Sequence, residues 1–209
     1  MRILIIGATG GIGEASARLF SEHATELWIH GRSIEALQPL AWELRARPVV
    51  ADLGSKEAVR AMMESAGPLD GLLYAAGAVV RQPLRQTEDS AWRAVWDANF
   101  DGARHVLQYA RWNPGARALF LGVYPDYVRV PGFGAYATSK AALEALLEIA
   151  RRELRAEGLR LLLVRLPAVR TRLWTPIGSP PRNALEPSAV AQRLLELLLN
   201  PPADDVIPL

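Results

Sequence analysis

Short apolar runs alternate with longer amphipathic segments along most of this chain. The short runs carry hydrophobic side chains at consecutive positions, as strands buried on both faces do. The longer segments carry them three or four positions apart, the period of a helix with one buried face. The short runs predict strands at residues 2–7, 26–30, 47–51, 69–77, 116–122, 159–166 and 205–209. The longer segments predict helices at residues 11–23, 33–46, 55–66, 87–98, 100–112, 134–157 and 188–199, with Ser33 and Ser55 as N-caps.

This alternation also predicts the architecture. Strands that are apolar on both faces and separated by helices indicate a parallel sheet covered by helices on both sides. The chain has 209 residues, enough for one domain and too few for two of ordinary size. We therefore predict a single doubly wound Rossmann-like α/β domain over residues 1–209, with a mostly parallel seven-stranded sheet. The proline-rich stretch 176–187 is then a loop inside this domain.

Composition excludes several classes of protein. Half of the residues are hydrophobic, so a large core is expected and disorder is not. The 24 basic residues nearly balance the 22 acidic ones and form no block of like charge, so nucleic-acid binding is not expected. The absence of cysteine excludes disulfides, thiolate metal sites and thiol catalysis. His23, His30 and His105 share no metal-site spacing, and we interpret each as structural or on the surface.

The chain carries no pattern that indicates a membrane segment. Its first apolar run is interrupted by Gly7 after only a few residues, which is too short for a signal peptide. The later apolar runs are broken by arginine or proline, so no transmembrane helix fits. We expect a cytoplasmic protein.

Glycines are concentrated where the first predicted strand turns into the first helix. Gly7, Gly11 and Gly13 let the backbone turn sharply and let a phosphate approach closely. The free N–H groups at the helix start would then face the pyrophosphate of a dinucleotide. A tight turn that is rich in glycine by chance is the alternative. The candidate cofactor residues in this turn are Gly7, Thr9, Gly10, Gly11, Ile12 and Gly13.

The spacing G-x-x-x-G-x-G, and four later motifs in the same order, resemble the short-chain dehydrogenase/reductase family. Ile6 stands where that family usually has threonine. The later motifs are the aspartate after the third strand, the turn "YAAG", the helix asparagine and the pair Y-x-x-x-K. A fifth segment, "LPAVRT" at 166–171, lies where the family has P-G-x-V-x-T. Through these motifs the resemblance assigns cofactor contacts to Asp52, Leu53, Ala75, Ala76, Gly77, Lys140 and Pro167.

Tyr136 and Lys140 are one helical turn apart and share a helix face. The resemblance implies that Tyr136 is the general acid/base, and that Lys140 lowers its pKa and holds the nicotinamide ribose. Lowering a tyrosine pKa from about 10 to about 7 needs roughly 4 kcal/mol. One ammonium about 4 Å away supplies about that much at an effective dielectric constant near 20. A surface pair is the alternative, although Lys140 is one of only two lysines in the chain.

Asn99 stands at the position of the family's helix asparagine. The resemblance implies that it orders a water molecule that relays protons through the lysine. A helix cap is the alternative interpretation.

The family's catalytic serine is missing from this chain. It usually lies thirteen residues before the tyrosine, where this chain has Val123. Its hydroxyl polarises the substrate carbonyl, and losing one such donor typically costs ~10²–10³ in rate. The phenol of Tyr124, one position further on, is a candidate replacement. Packing of Tyr124 on the loop is the equally weighted alternative.

The end of the second strand bears on the choice of cofactor. Enzymes of the family that use NAD usually have an acidic residue here, and this chain has Gly31. Arg32 follows, and its charge and forked shape suit a 2′-phosphate, with Ser33 as a possible second donor. A solvated arginine at a helix start is the alternative. We predict NADP as the cofactor rather than NAD.

Taken with the resemblance, these residues predict an NADP-dependent oxidoreductase that acts on a carbonyl or secondary alcohol. The alternative is a protein of the same fold that binds NADP without catalysis, as a sensor or partner subunit. Relatives usually pair through the helices that match 100–112 and 134–157, so a homodimer is expected. The sequence does not identify the substrate.

Overall fold

The computed structural model describes residues 1–209, and its seven strands form one sheet. All six neighbouring pairs are parallel, so the sheet is fully rather than mostly parallel. The strand order is β3-β2-β1-β4-β5-β6-β7. The strands are β1 (Arg2–Ile6), β2 (Glu26–Gly31), β3 (Arg47–Val50), β4 (Leu69–Tyr74), β5 (Trp112–Val123), β6 (Arg160–Leu166) and β7 (Val206–Pro208).

Eight α-helices connect these strands. Ser33 and Ser55 cap two of them as predicted, since their hydroxyls accept from the backbone N–H groups of Ala36 and Ala58. The helices are α1 (Gly11–Phe20), α2 (Ile34–Leu44), α3 (Lys56–Ala66), α4 (Asp89–Trp96), α5 (Gly102–Tyr109), α6 (Pro125–Val128), α7 (Gly134–Glu153) and α8 (Pro187–Leu199). Short 3₁₀ turns lie at Leu84–Gln86, Leu154–Glu157 and Arg172–Trp174, and a π-helical segment lies at Asp97–Asp101.

The core is divided by the sheet into two hydrophobic clusters. Alternate residues of β1 belong to opposite clusters: Ile3 and Ile5 to one, Leu4 and Ile6 to the other. Both faces of the strand are therefore buried, which is why its sequence is continuously apolar. The first cluster includes Phe20, Leu37 and Leu194, from α1, α2 and α8. The second includes Val59, Val106 and Leu147, from α3, α5 and α7. The predicted doubly wound α/β fold is confirmed.

Some element boundaries differ from the prediction. The predicted helix 100–112 ends early, because α5 stops at Tyr109 and β5 begins at Trp112. The N–H of Leu69 donates to the carbonyl oxygen of Arg111 at 2.9 Å and Trp112 pairs with Leu69, so this stretch joins the sheet beside β4 instead of extending the helix. The predicted helix 134–157 also ends early, in a 3₁₀ turn before Gly158, whose φ is 71°.

The strand order reverses between β1 and β4. From β1 the chain goes to β2 and β3 on one side, and then returns to β4 on the other. In open α/β sheets, ligands bind at such a reversal, outside the carboxyl ends of the strands. Gly7 directly follows β1, and Ala75 directly follows β4. The predicted glycine turn therefore lies at this position. No helix combines the length and apolar character needed to cross a bilayer.

Candidate active site

The glycine turn packs tightly against the end of β4. Gly7 has a φ of 84°, and a Cβ built on it would lie 2.6 Å from the backbone nitrogen of Ala76. A Cβ on Gly13 would lie 2.1 Å from the carbonyl oxygen of Gly7. Neither position has room for a side chain, so these glycines are required by the turn itself.

The first turn of α1 has free donors. The backbone N–H groups of Gly11, Ile12 and Gly13 make no hydrogen bond, and the N-cap Gly10 has no side chain to accept from them. The positive end of the helix dipole lies at the same place and also attracts negative charge. An anionic phosphate fits this arrangement, so the chain's own geometry suits the predicted dinucleotide.

His30 holds the glycine turn from inside. Its Nδ1 accepts from the backbone N–H of Gly7 at 3.3 Å, and its Nε2 lies 3.0 Å from the carbonyl oxygen of Ala51. The acceptor role of Nδ1 places the proton on Nε2, so the ring is neutral. Burial lowers the pKa of His30, which agrees with this state. The histidine is structural, as predicted, and ties the ends of β1, β2 and β3 together.

The end of β2 leaves little room for an acidic side chain. A Cβ on Gly31 would lie 3.1 Å from both Leu37 Cγ and Thr9 Cγ2. Arg32 is exposed and forms no ion pair, so its guanidinium is available to a ligand. The hydroxyl of Ser33 donates to Glu35, and this bond lowers the pKa of the Glu35 carboxyl. A phosphate that used Ser33 as a donor would compete with Glu35.

The remaining predicted cofactor residues lie along the same edge of the sheet. Asp52 is exposed, and one of its carboxylate oxygens accepts from the N–H of Gly54 at 3.0 Å. Ala75 donates its N–H to the carbonyl oxygen of Ile6 at 2.9 Å, which joins the turn after β4 to β1. Leu53 is buried, Ala76 and Pro167 are half-buried, and Gly77 is exposed.

Tyr136 and Lys140 lie in the first two turns of α7 and are both half-buried. The ammonium of Lys140 donates to the carbonyl oxygen of Leu121 in β5 at 2.9 Å. Burial lowers the pKa of Lys140 to about 8 and raises that of Tyr136 to about 12. The predicted lowering of the tyrosine pKa is thus not present in this structure, because desolvation of the phenol raises it.

Asn99 is fully buried in the π-helical segment, and both the nitrogen and the oxygen of its side-chain amide form hydrogen bonds. Its amide nitrogen donates to the carbonyl oxygen of Ala78 at 3.0 Å and to the hydroxyl of Ser139 at 2.9 Å. Its oxygen accepts from the N–H of Ala78 at 2.9 Å. The side chain therefore clamps the loop after β4 to α7. Its role in ordering a relay water stays a prediction.

Two buried side chains that the sequence interpretation did not assign support this segment. Ser139 is fully buried and donates to the carbonyl oxygen of Tyr136 at 2.9 Å. Tyr74 replaces the first asparagine of the family's turn, and its hydroxyl donates to the carbonyl oxygen of Ala98 at 2.8 Å. A Cβ on Gly102 would lie 2.4 Å from this hydroxyl, so the glycine makes room for the larger ring. The sequence did carry a signal for Tyr74, because the motif "YAAG" has a tyrosine where the family has asparagine.

Tyr124 lies just after β5 with its hydroxyl directed toward the end of the chain. The hydroxyl donates to the carbonyl oxygen of Leu209 at 2.9 Å, and its ring packs against Tyr127 with the centroids 5.3 Å apart. A hydroxyl that keeps this bond cannot donate the same proton to a substrate. The role of Tyr124 as a replacement for the missing serine therefore stays a prediction that requires this bond to break.

Phe133 lies beside Tyr136, and Arg81 lies beside Phe133. The ring of Phe133 lies edge-on to that of Tyr136, with the centroids 6.3 Å apart. The guanidinium of Arg81 lies 5.7 Å from the Phe133 centroid. The loop that carries Arg81 is joined to the loop before α7 by a bond from the N–H of Gln82 to the oxygen of Gly132. Neither residue was assigned from the sequence.

Comparison with known proteins agrees with this geometry. The family model of short chain dehydrogenases matches residues 1–181. The chain therefore belongs to the short-chain dehydrogenase/reductase family, and it is an oxidoreductase of that family.

Relatives match over nearly the whole chain. A short-chain oxidoreductase from Thermus thermophilus of known crystal structure is 48% identical, with a TM-score of 0.90 over 98% of both chains. An uncharacterised oxidoreductase of Staphylococcus saprophyticus is 26% identical over 98% of this chain and 92% of its own length. A short chain dehydrogenase from Burkholderia cenocepacia, solved in complex with NADP, is 22% identical. Its TM-score is 0.87 over 100% of this chain and 95% of that one.

Proposed function

We propose that this oxidoreductase transfers hydride between NADP(H) and a carbonyl or secondary alcohol, with Tyr136 as the general acid/base. The observation that carries the proposal is that Tyr136 and Lys140 lie one turn apart on α7, with Lys140 bonded to Leu121 near the carboxyl end of β5. The glycine turn at the same edge of the sheet is shaped for a phosphate. The substrate is then a small molecule that reaches the hydroxyl of Tyr136.

The chain's own residues fit the cofactor part of this proposal. The glycine turn and the free N–H groups of α1 would hold the pyrophosphate, and Arg32 would meet the 2′-phosphate. Crowding at Gly31 and the absence of an acidic residue there favour NADP over NAD. The NADP complex of the Burkholderia cenocepacia relative supports the same choice. The bound nicotinamide would supply or accept the hydride.

The pKa values of Tyr136 and Lys140 define their charge states at neutral pH. A phenol with a pKa of about 12 is protonated at pH 7, so Tyr136 carries the proton that the reduction of a carbonyl consumes. Lys140, with a pKa of about 8, is mostly charged at that pH and can stabilise the phenolate left behind. At neutral pH the proposed acid/base therefore starts in its protonated form, as the reduction of a carbonyl requires.

The missing serine defines the second candidate function. Val123 offers no hydroxyl, and the hydroxyl of Tyr124 donates to Leu209. A substrate carbonyl would then be polarised by Tyr136 alone, at a typical cost of ~10²–10³ in rate. These two observations favour a protein that binds NADP without catalysis, and we retain it as the alternative.

One experiment separates the two functions. NADPH consumption is followed with a panel of ketones, aldehydes and quinones, for the parent protein, for Tyr136→Phe and for Tyr127→Phe. We expect turnover of at least one compound, abolished by Tyr136→Phe and retained by Tyr127→Phe, whose tyrosine is exposed. NADPH binding without turnover of any compound would support the non-catalytic alternative. Turnover that survives Tyr136→Phe would contradict the proposed role of Tyr136.

We also propose that the protein forms a homodimer through α7. The outer face of this helix carries small and apolar side chains that are exposed in the single chain. Ile149 is 55% exposed, and the neighbouring positions on the same face are Thr138, Ala141 and Ala145. Small side chains let two helices approach closely, which suits packing against a second copy.

A further inference from the structure

A cavity of about 610 Å³ lies between the first turn of α1 and the segment that follows β6. Gly11 forms part of the α1 side, and Thr171, Thr175 and Ser179 contribute hydroxyl groups from the other side. Apart from one hydrophobic residue the lining is polar or small. The cavity thus has Gly11, with its free N–H group, on one side and hydrogen-bonding side chains on the other.

Arg172 crosses from this segment to the glycine turn. Its Nη2 donates to the carbonyl oxygen of Thr9 at 2.8 Å, although the two residues are 163 positions apart in sequence. The preceding Thr171 packs on the same turn, since a Cβ on Gly11 would lie 2.9 Å from Thr171 Cγ2. The segment is therefore closed over the glycine turn, with the arginine as its polar contact.

Several hydrogen bonds, two of them through side chains, fix the segment in this position. The N–H of Leu173 donates to Thr171 Oγ1, and the indole N–H of Trp174 donates to the carbonyl oxygen of Val169 at 2.9 Å. The N–H of Leu185 donates to the carbonyl oxygen of Ala168 at 2.9 Å, which holds the other end of the loop. Arg172 thus lies in a short turn that these hydrogen bonds hold in place.

Charge pairing distinguishes Arg172 from the other charged residues around the cavity. Arg170 pairs with Glu186 at 2.8 Å, and Glu14 pairs with Arg18 at 3.1 Å. Arg172 has no acidic partner, and its bond to Thr9 uses one of the five N–H donors of a guanidinium. The remaining donors and the full positive charge are left for a ligand in the cavity.

We propose that Arg172 binds the diphosphate bridge of the cofactor while it holds the loop after β6 on the glycine turn. This inference rests on the proposed binding of NADP(H). Arginine suits a diphosphate because its fork donates two parallel bonds to phosphate oxygens. Arg32 follows β2 and Arg172 follows β6, on opposite sides of β1, so the two arginines serve different phosphates.

Two ligands and two matched variants test this assignment. NADPH carries both the 2′-phosphate and the diphosphate, whereas adenosine 2′-monophosphate lacks the diphosphate. Arg172→Gln removes the free charge, and Arg170→Gln removes a charge that lines the same cavity but is paired. Dissociation constants for both ligands are measured by fluorescence or calorimetry, which needs no turnover.

We expect Arg172→Gln to weaken NADPH binding by about 10-fold or more, as the loss of a bond to a charged group does. The affinity for adenosine 2′-monophosphate should stay unchanged, and Arg170→Gln should change neither. Equal weakening of both ligands by Arg172→Gln would overturn the assignment, because the arginine would then only support the fold of the loop. An unchanged NADPH affinity would overturn it as well. Failure of the parent protein to bind NADPH would instead refute the proposed cofactor, and this inference with it.

Discussion

The side-chain amide of Asn99 donates to the hydroxyl of Ser139 at 2.9 Å, and both side chains are fully buried. Ser139 donates in turn to the carbonyl oxygen of Tyr136 at 2.9 Å. Asn99 also holds both backbone polar groups of Ala78, in the loop after β4. This chain of bonds joins the edge of the sheet to the first turn of α7. The position of Tyr136 relative to the sheet therefore depends on the buried side chains of Asn99 and Ser139.

Ser139→Ala tests this link. The change leaves one N–H of Asn99 buried without an acceptor, which costs about 1–3 kcal/mol. We expect a loss of that size in the free energy of unfolding, measured in urea, and a fall in kcat with little change in NADPH affinity. Thr138→Ala is the matched control, because this exposed hydroxyl makes a similar bond to the carbonyl oxygen of Gly134 at 2.7 Å. Equal losses in the two variants would contradict a special role for Ser139.

Tyr124→Phe decides between the hydrogen bond in the structure and the role predicted from the sequence. If the hydroxyl only binds Leu209, its loss should cost about 1 kcal/mol of stability and leave kcat nearly unchanged. If it polarises the substrate, kcat should fall by ~10²-fold or more. We expect the first result. Tyr127→Phe, in the neighbouring exposed ring, is the control, and steady-state kinetics with denaturation curves give both quantities.

Arg32→Ala tests the choice of cofactor. We expect the parent protein to bind NADPH at least several-fold more tightly than NADH, because Arg32 is exposed and free of acidic partners. The variant should lose most of that difference and keep its affinity for NADH. Fluorescence titration of both cofactors measures the change, and Arg155→Ala, another exposed arginine, is the control. Equal affinities in the parent protein would refute the preference for NADP.

His30 gives the protein a pH-dependent stability. Because burial lowers its pKa below the ordinary value of 6.5, the unfolded chain binds the proton first as the pH falls. This contribution to stability is complete above about pH 6.5, decreases below it, and levels off once the folded-state pKa is passed.

His30→Gln should remove this part of the pH dependence of the unfolding free energy. His23→Gln, at an exposed position, should retain it. Chemical denaturation between pH 5 and pH 8 measures the slope. If the unfolding free energies of the parent protein and His30→Gln changed with pH in the same way, the protonation of His30 would not be coupled to folding.

Ala145→Arg tests the proposed homodimer. A long charged side chain on the exposed face of α7 should separate two copies that pack there, and light scattering should then report a monomer. Ser65→Arg, at an exposed position of α3, should leave the mass unchanged. A monomeric parent protein at micromolar concentration would refute the proposal.

The candidate site was only partly predictable. Gly7 and Gly13 were found because the turn needs a positive φ at Gly7 and brings Gly13 against the carbonyl oxygen of Gly7, and both requirements are local to a few consecutive residues. Ser139 was missed because nothing in "YATSK" reveals that its hydroxyl meets Asn99, 40 positions away. Arg172 was missed because the motif it follows ends at Thr171, and its partner Thr9 lies at the other end of the chain.

The sequence by itself determined the doubly wound sheet, because strands with apolar residues at every position can be stable only when helices cover both faces. It also determined the glycine turn and the spacing of Tyr136 and Lys140, since one helical turn fixes that spacing. Only the tertiary structure decided the direction of the pKa shifts and the partner of Tyr124. Desolvation and hydrogen bonding depend on which distant segments close over a side chain, and neighbours along the chain do not reveal this.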